Sequence, residues 1–284
     1  MLYTDHSVLV NNINLHYIEY SSKKTSLLFL HGLTGNAHAV DGLVKEGLAN
    51  HFHIISIDLR GRGLSDRPAF AYSIEDHGND IIALLDYLKI EKIILCGHSF
   101  GGLLASYLAY YYPDRFPKII ILDAAPEMNP EATDMLAPAL ARIDMHYKNF
   151  ETYLEDIKKA PYLTFWDPAM ESYYKADVKT AADNSVEPNS NLMDIIQIAT
   201  AVSTEPWREY FINITQPTML VNALDEYTLG MALLPVYKAE EIVEDMKNCK
   251  LVEMNGNHQT MLYGQNAHFL VKTIIDFAIV QKAQ

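Results

Sequence analysis

The chain has 284 residues, a formal net charge of −14 and an apolar fraction of 49%. This apolar fraction excludes wholesale disorder, and the acidic balance argues against binding nucleic acid, because phosphate groups would be repelled. Two cysteines exclude a disulfide framework or a four-cysteine zinc site. The N-terminus lacks a basic region followed by an apolar run, and no stretch approaches the roughly 20 apolar residues of a membrane span. We therefore expect a soluble, cytoplasmic protein.

The N-terminal half alternates short apolar runs with helical patterns. The first twenty residues predict an antiparallel hairpin at the edge of a sheet. Continuous apolar runs, typical of strands buried on both faces of a parallel sheet, follow at residues 27–30, 53–58, 92–96 and 118–122. Apolar residues at helical spacing occupy residues 75–89 and 100–112. Strands that alternate with helices predict βαβ units.

The pattern changes near residue 127. Residues 127–210 show mostly helical spacing and hold 15 acidic and 7 basic residues, a net charge of −8. Strand patterns return at residues 218–221 and 250–254, and a helix over about 264–282 closes the chain. The sequence thus predicts an α/β body, residues 1–126 and 211–284, that is interrupted by a helical cap, residues 127–210.

The strongest chemical motif is Gly97-His98-Ser99-Phe100-Gly101-Gly102, which follows a predicted strand and opens a predicted helix. A sharp turn at this point exposes a serine hydroxyl above the sheet, and the glycines give it room. A serine attacks only when a base takes its proton and a local field stabilises the oxyanion. Ser99 is therefore the candidate nucleophile.

With this motif the chain resembles the α/β-hydrolase superfamily over nearly its whole length. The resemblance implies a mostly parallel eight-stranded sheet flanked by helices. The loop His31-Gly32-Leu33-Thr34-Gly35 is similar to the family's oxyanion loop, so Gly32 and the N–H groups of Leu33 and Phe100 would bind the substrate oxygen. The segment 58–66, Asp-Leu-Arg-Gly-Arg-Gly-Leu-Ser-Asp, also matches the family, and we interpret it as structural.

The base and the acid follow from the family's chain order of serine, acid and histidine. His258, just after the last predicted strand, resembles the catalytic histidine. Asp225 resembles the family's G-x-x-D acid, although Asn222 replaces the usual glycine. Asp123 ends the preceding body strand, where some family branches place the acid, and it stays open as an alternative. Glu226 is the remaining candidate.

Other histidines receive non-catalytic interpretations. His31 is expected to order the oxyanion loop, and His98 is expected not to reach the nucleophile from its side of the turn. His51 and His53 lie on one face of a strand entry, but no third ligand stands near them in sequence, so we expect no metal.

The resemblance implies hydrolysis of a carboxylic ester or lactone through an acyl-enzyme, without a cofactor. Ser99 argues against epoxide hydrolases and haloalkane dehalogenases, which use a carboxylate nucleophile. Carbon–carbon bond hydrolases of the meta-cleavage type usually show Asn before the serine and Trp after the histidine, where this chain has His98 and Gln259. That activity, amide hydrolysis of the deformylase type and a ligand-sensing role on the same scaffold stay open.

The negative cap predicts a preference for small to medium, mainly apolar substrates over anionic ones, because like charges repel on approach. A pocket arginine such as Arg142 or Arg208 would reverse this preference. The cap is expected to form an apolar roof without a specialised aromatic site. The expected partner is a small molecule, and the chain is expected to be a monomer or a homodimer.

Overall fold

A central sheet of eight strands organises residues 3–279, the part of the chain that the computed structural model describes. The strand order is β1-β2-β4-β3-β5-β6-β9-β10. These strands are β1 Thr4–Val10, β2 Ile13–Tyr20, β3 Ser26–Leu30, β4 His53–Ile57, β5 Ile94–His98, β6 Ile119–Leu122, β9 Thr218–Ala223 and β10 Cys249–Met254. The two remaining strands, β7 Val178–Thr180 and β8 Val186–Pro188, pair with each other outside this sheet.

The sheet is mostly parallel, as predicted. The two pairs at one edge, β1–β2 and β2–β4, are antiparallel, and every other neighbouring pair is parallel. The central strands β3, β5 and β6 are buried along almost their whole length, which explains why their sequences are continuous apolar runs rather than alternating ones. Because parallel strands begin and end together, the loops that follow β3, β5, β6, β9 and β10 meet at one edge of the sheet.

Helices cover both faces of the sheet. They are α1 Asp41–Lys45, α2 Ile74–Tyr87, α3 Phe100–Tyr111, α4 Ala132–Ala141, α5 Phe150–Ile157, α6 Pro168–Ala176, α7 Leu192–Val202, α8 Trp207–Ile212, α9 Val236–Asp245 and α10 Gly264–Ala278. The predicted helices at 75–89 and 100–112 correspond to α2 and α3. The prediction for the last helix extended to residue 282, and residues 280–282 lie outside the described part of the chain.

Residues 127–210, for which a helical cap is predicted, lie between β6 and β9, and we call them the inserted segment. It holds α4 to α7 and the short β7–β8 pair, which the sequence did not reveal because each strand has only three residues. The predicted boundary at residue 210 falls inside α8. This helix packs against α3 and α9 of the body, with the ring of Tyr210 against those of Tyr107 and Tyr110.

Two apolar layers, one on each face of the sheet, form the core. The layer on one side includes Leu104 and Leu108 of α3, and the layer on the other includes Leu270 and Ile274 of α10. Among residues 3–279 no helix is both long enough and apolar enough to cross a membrane.

Candidate active site

Ser99 occupies a strained turn between β5 and α3. Its backbone has φ 55° and ψ −122°, a conformation that non-glycine residues rarely adopt and that persists where the surroundings enforce it. The glycines of the motif are required by close backbone approach, because a Cβ on Gly97 would overlap the carbonyl of Gly101, and a Cβ on Gly101 would overlap that of Leu30. The turn leaves Ser99 half-buried at the edge where the strand ends meet.

The loop after β3 lies directly against this serine. A Cβ placed on Gly32 would be 3.3 Å from Cβ of Ser99 and 3.7 Å from its Oγ, so only a glycine leaves open space beside the hydroxyl. Leu33 lines the same cavity as Ser99. Phe100 is the first residue of α3, and amides in the first turn of a helix have no partner inside the helix. Leu33 therefore lies on the wall of the cavity that Ser99 lines, and Phe100 follows Ser99 directly in the chain.

His31 orders this loop, as predicted. Its Nε2 accepts from the N–H of Leu59 (3.0 Å), so the ring proton lies on Nδ1, which donates to the carbonyl of Gly32 (2.7 Å). Complete burial, followed by the charge of Arg62, lowers the pKa of His31 to about 4. The imidazole is therefore neutral at pH 7, and it holds the loop by hydrogen bonds rather than by charge.

The segment 58–66 supports the site through structural hydrogen bonds, in agreement with its structural interpretation. Asp58 accepts from the N–H groups of Ala37 (2.6 Å) and Leu64 (2.9 Å), and the guanidinium of Arg60 binds Asp80 with two bonds of 2.6 Å. The guanidinium of Arg62 is fully buried over the ring of Phe100. Neither arginine is among the residues that line the cavity at Ser99.

The loop after β10 brings His258 into the cavity that Ser99 lines. Nδ1 of His258 lies 2.7 Å from Oδ2 of Asp123, and both side chains are buried. Asp123 directly follows β6 and adopts φ 52°, a left-handed conformation that aspartate tolerates better than most residues. Its other oxygen, Oδ1, accepts from the N–H of Ala223 (2.9 Å) and from Nδ2 of Asn222 (3.2 Å).

The expectation that Asp225 bonds to His258 is wrong in this geometry. Asp225 is exposed, and its Oδ2 accepts from the N–H of Gly256 (2.8 Å). Asp225 also donates its own N–H to the carbonyl of Gly256 (3.0 Å), so it fixes the loop that carries His258 without touching the ring. Glu226 is exposed as well, and its carbonyl accepts from Nδ2 of Asn257. The alternative acid, Asp123, therefore holds the histidine.

The physical reason lies at position 222. The family usually has a glycine at this position, whereas this chain has Asn222, whose side-chain amide makes two hydrogen bonds. Its Nδ2 bonds both to Asp123 and to the carbonyl of Leu234 (2.9 Å), so it orients the carboxylate from the neighbouring strand. The departure at position 222 is the one signal in the sequence that could have pointed to Asp123 instead of Asp225.

A small cavity of about 70 Å³ lies above Ser99. The inserted segment supplies much of its roof, through Leu136, Ala139, Leu140, Arg142, Tyr162, Tyr173 and Tyr174, and Tyr227 comes from the body. Burial raises the pKa of all four tyrosine hydroxyls, so they are neutral hydrogen-bonding groups at pH 7. The expectation of an apolar roof without aromatic specialisation is therefore wrong, and neither tryptophan lines the cavity.

Arg142 is the one arginine or lysine among the lining residues, which include no aspartate or glutamate. Its Nε and Nη2 bond to the two oxygens of Asp177 at 3.0 and 3.3 Å, and Tyr153 donates to the same carboxylate (2.6 Å). Burial opposes the charge of Arg142, but Asp177 raises its pKa well above the usual value, so it stays protonated. Arg208, the other arginine named from the sequence, pairs with surface carboxylates instead.

Known proteins resemble this chain in sequence and in fold. Residues 25–266 match the family model described as alpha/beta hydrolase fold. The chain is 35% identical over 125 residues to 2-(acetamidomethylene)succinate hydrolase of Mesorhizobium japonicum, a match that covers 44% of each chain. It is 32% identical over 120 residues to 3-oxoadipate enol-lactonase 2 of Acinetobacter baylyi, which covers 42% of this chain and 45% of the relative.

Among solved structures, the crystal structure of E-2-(acetamidomethylene)succinate hydrolase superposes with a TM-score of 0.86 at 22% identity. The superposition covers 98% of this chain and all of the other. At this identity the likeness concerns the fold. The sequence matches span less than half the length of the two curated relatives.

Proposed function

The chain belongs to the α/β-hydrolase family, and from that premise we propose that it is a serine hydrolase that cleaves a small ester or lactone through an acyl-enzyme. One observation supports the proposal: Ser99, on its strained turn, and His258, hydrogen-bonded to Asp123, line the same cavity. A nucleophile, a base and a group that orients the base are the three parts that acyl transfer needs.

The first half-reaction transfers the acyl group to the enzyme. Nε2 of His258 takes the hydroxyl proton while Oγ of Ser99 attacks the carbonyl carbon and forms a tetrahedral intermediate. Nδ1–H of His258 donates to Asp123, which fixes the tautomer and stabilises the imidazolium. His258 then gives its proton to the leaving oxygen, the bond to the leaving group breaks, and an ester of Ser99 remains.

The second half-reaction releases the acid. Water gives a proton to Nε2 of His258 and attacks the acyl carbon. The tetrahedral intermediate collapses, and Oγ of Ser99 leaves with the proton returned by His258. In both half-reactions the negatively charged oxygen would accept hydrogen bonds from the backbone N–H groups of Leu33 and Phe100. The lack of a side chain at Gly32 leaves room for this oxygen. Main-chain donors are fixed before reaction and need no reorganisation. No step calls for a cofactor.

We further propose that the substrate carries a carboxylate. The inserted segment has a net charge of −8, but the residues that line the cavity include Arg142 and four tyrosines and no acidic side chain. Asp177, which lies outside the lining, balances the charge of Arg142, so a carboxylate would be bound by hydrogen bonds rather than by excess positive charge. Local groups within hydrogen-bonding distance outweigh distant exposed charges, which salt screens beyond a Debye length of about 8 Å. The initial preference for uncharged substrates therefore gives way to a small anion. The names of the two curated relatives contain succinate and oxoadipate, which are carboxylates.

Amide hydrolysis is the second candidate. The solved structure that superposes over 98% of this chain is named for an acetamido compound, and the same nucleophile, base and oxyanion donors serve both reactions. The difference lies in the leaving group, because an amine must be protonated before it departs. A matched pair of substrates, one acyl group on an alcohol and on an amine, separates the two candidates by the ratio of their kcat/KM values.

The inserted segment would act as the cap of this site. It supplies the roof of the cavity, and Asn36 of the body donates to the carbonyl of Tyr173 (3.0 Å) across the junction. We place the end of the cap before α8 rather than at residue 210, because α8 packs on the body.

The nucleophile is tested with Ser99→Ala and a matched control. Ser99→Ala should abolish hydrolysis of short p-nitrophenyl esters and labelling by a fluorophosphonate. Ser106→Ala, at a serine of α3 whose hydroxyl donates to the carbonyl of Leu103, should keep both. Turnover by Ser99→Ala would overturn the serine mechanism, and an unlabelled wild-type protein would point to a ligand-sensing role.

The carboxylate is tested with p-nitrophenyl acetate and the p-nitrophenyl monoester of succinate. Arg142→Met is combined with Asp177→Asn, so that no buried carboxylate loses its partner. A hydrogen bond to a charged group contributes about 1.5–3 kcal/mol, so the variant should raise KM for the succinate ester by roughly 10–100-fold. Arg208→Met, an exposed arginine, is the control and should leave KM unchanged. An equal KM for both esters in the wild type would refute the anionic substrate.

A further inference from the structure

His98 stands between the nucleophile and the base. It is the last residue of β5 and directly precedes Ser99. Its side chain is buried, and Nε2 lies 2.8 Å from the backbone carbonyl oxygen of His258. The two imidazole rings are neighbours, with centroids 4.7 Å apart. His98 therefore contacts the residue that acts as the base in the proposed mechanism.

The direction of this hydrogen bond follows from its partner. A carbonyl oxygen only accepts, so Nε2 of His98 must carry the proton and donate it. Burial, followed by the proximity of His258, lowers the pKa of His98 well below the usual value, so Nδ1 carries no proton. His98 is thus a neutral donor at pH 7, and its Nδ1 faces the Gly32 side of the cavity.

His258 is consequently fixed at two points. Asp123, which follows β6, holds the ring through Nδ1, and His98, which ends β5, holds the main chain through the carbonyl oxygen. The two anchors come from adjacent strands of the rigid sheet, whereas His258 itself lies in a loop. A loop residue without such anchors has more freedom than strand residues have.

We propose that His98 is a positioning residue for the hydrolysis: it ties the backbone of His258 to the strand that carries Ser99, so that nucleophile and base move as one unit. The inference rests on the proposed serine mechanism. It implies that the donor on Nε2, rather than the ring volume, is what position 98 contributes. A misplacement of about 1 Å in a catalytic group is enough to lower the rate about 100-fold.

Three variants separate the donor from the ring. Gln places an amide N–H near the position of Nε2, Asn is polar but too short to reach the carbonyl, and Leu fills space without a donor. We expect His98→Leu and His98→Asn to lower kcat roughly 10–100-fold with KM within about threefold of wild type. His98→Gln should recover most of that kcat. His98 also lines the cavity, so a change in KM shared by all three variants would report on the cavity wall, whereas recovery of kcat in His98→Gln alone reports on the donor.

Two further measurements separate positioning from packing: the rate of fluorophosphonate labelling of Ser99 and the downfield proton resonance of His258 Nδ1–H. If His98 acts through its donor, both should recover in His98→Gln, and if it only fills space, neither should. Wild-type kcat in folded His98→Leu would overturn the proposal. Equal losses in His98→Gln and His98→Asn would also overturn it, since they would assign the effect to the ring. If His98→Leu does not fold, the Gln and Asn pair still decides. Activity in Ser99→Ala would instead defeat the serine mechanism, so the two failures are distinguishable.

Discussion

Two aspartates follow neighbouring strands of the same sheet, and only one of them holds the histidine. Asp123, after β6, is completely buried and accepts from His258, Ala223 and Asn222. Asp225, after β9, is exposed and accepts from a backbone N–H of the histidine loop. The residue after β6 supports the ring of His258, and the residue after β9 supports its loop.

The environment of each carboxylate, rather than its place in a motif, decides whether it contacts the ring of His258 or the loop that carries it. Both aspartates are two or fewer residues beyond a strand end, at the edge where Ser99 and His258 meet. The left-handed backbone of Asp123 and the amide of Asn222 direct one carboxylate inward. The other carboxylate has neither, and it turns to a main-chain donor at the surface.

The largest expected effect is the loss of the acid. Asp123→Asn should lower kcat about 10⁴-fold, because an amide leaves His258 in the wrong tautomer. The measurement is steady-state hydrolysis of a p-nitrophenyl ester, with thermal unfolding to confirm the fold. If Asp123→Asn retained full activity, the assignment of the acid would be wrong and Asp225 would return as the candidate.

Acid pH should destabilise the folded chain through its buried, neutral histidines. His31 has a pKa of about 4 in the folded chain against about 6.5 when unfolded, so its contribution is complete above pH 6.5 and is lost as the pH falls from 6.5 through 4. That shift alone corresponds to about 3 kcal/mol. Urea unfolding at pH 7 and at pH 5 measures the decrease.

Two variants sharpen this pH measurement. Burial lowers the pKa of His98 as well, so His98→Leu should flatten the dependence of stability on pH, because the side chain no longer takes up a proton on unfolding. Ser106→Ala, which removes a hydroxyl that does not titrate in this pH range, is the control and should leave the dependence unchanged. A wild-type stability that is constant between pH 7 and pH 5 would contradict the neutral state of these buried histidines.

A smaller effect is expected at Asn222. Asn222→Gly restores the residue that is usual in the family but removes the amide that orients Asp123. We expect kcat to fall about 10-fold, in line with the loss of one hydrogen bond to a charged group. In the double variant with Asp123→Asn, activity should stay at the level of Asp123→Asn alone. Recovery of activity there would mean that Asp225 takes over as the acid.

The smallest effect is expected at Asp225. Asp225→Asn keeps an oxygen that accepts from Gly256, so kcat should stay within about threefold of wild type, since the exposed bond contributes only about 1 kcal/mol. Comparison of kcat for Asp225→Asn and Asp123→Asn in one assay gives the ratio between the two positions directly. A ratio near one would mean that Asp123 and Asp225 contribute equally to catalysis, against the assignment of Asp123 as the acid.

The sequence predicted the parts of the site that depend on local pattern. The turn at Ser99, the oxyanion loop and the strands beneath them are contiguous stretches in which glycines and apolar runs have a direct structural meaning. His258 follows from chain order in the family. These predictions needed no knowledge of how distant side chains meet.

The choice between Asp123 and Asp225 depended on contacts between strands, and chain position offered both. The roof was unpredictable for a similar reason. Tyr162, Tyr173 and Tyr174 come from helices and turns whose packing over Ser99 is not encoded in their periodicity. Only the contacts between elements show that tyrosines, and not the two tryptophans, line the cavity.

One guanidinium links the roof to the floor. Nη2 of Arg142 also donates to the carbonyl of Thr34, in the loop that carries Leu33 (3.1 Å). The inserted segment is therefore not interchangeable, because grafting a foreign one onto this body would remove a hydrogen bond from the loop 31–35 even if Ser99, His258 and Asp123 stayed. The hydrogen bond to Thr34 therefore limits which sequences can form the roof of the cavity, and a successful graft has to supply its own donor for the Thr34 carbonyl.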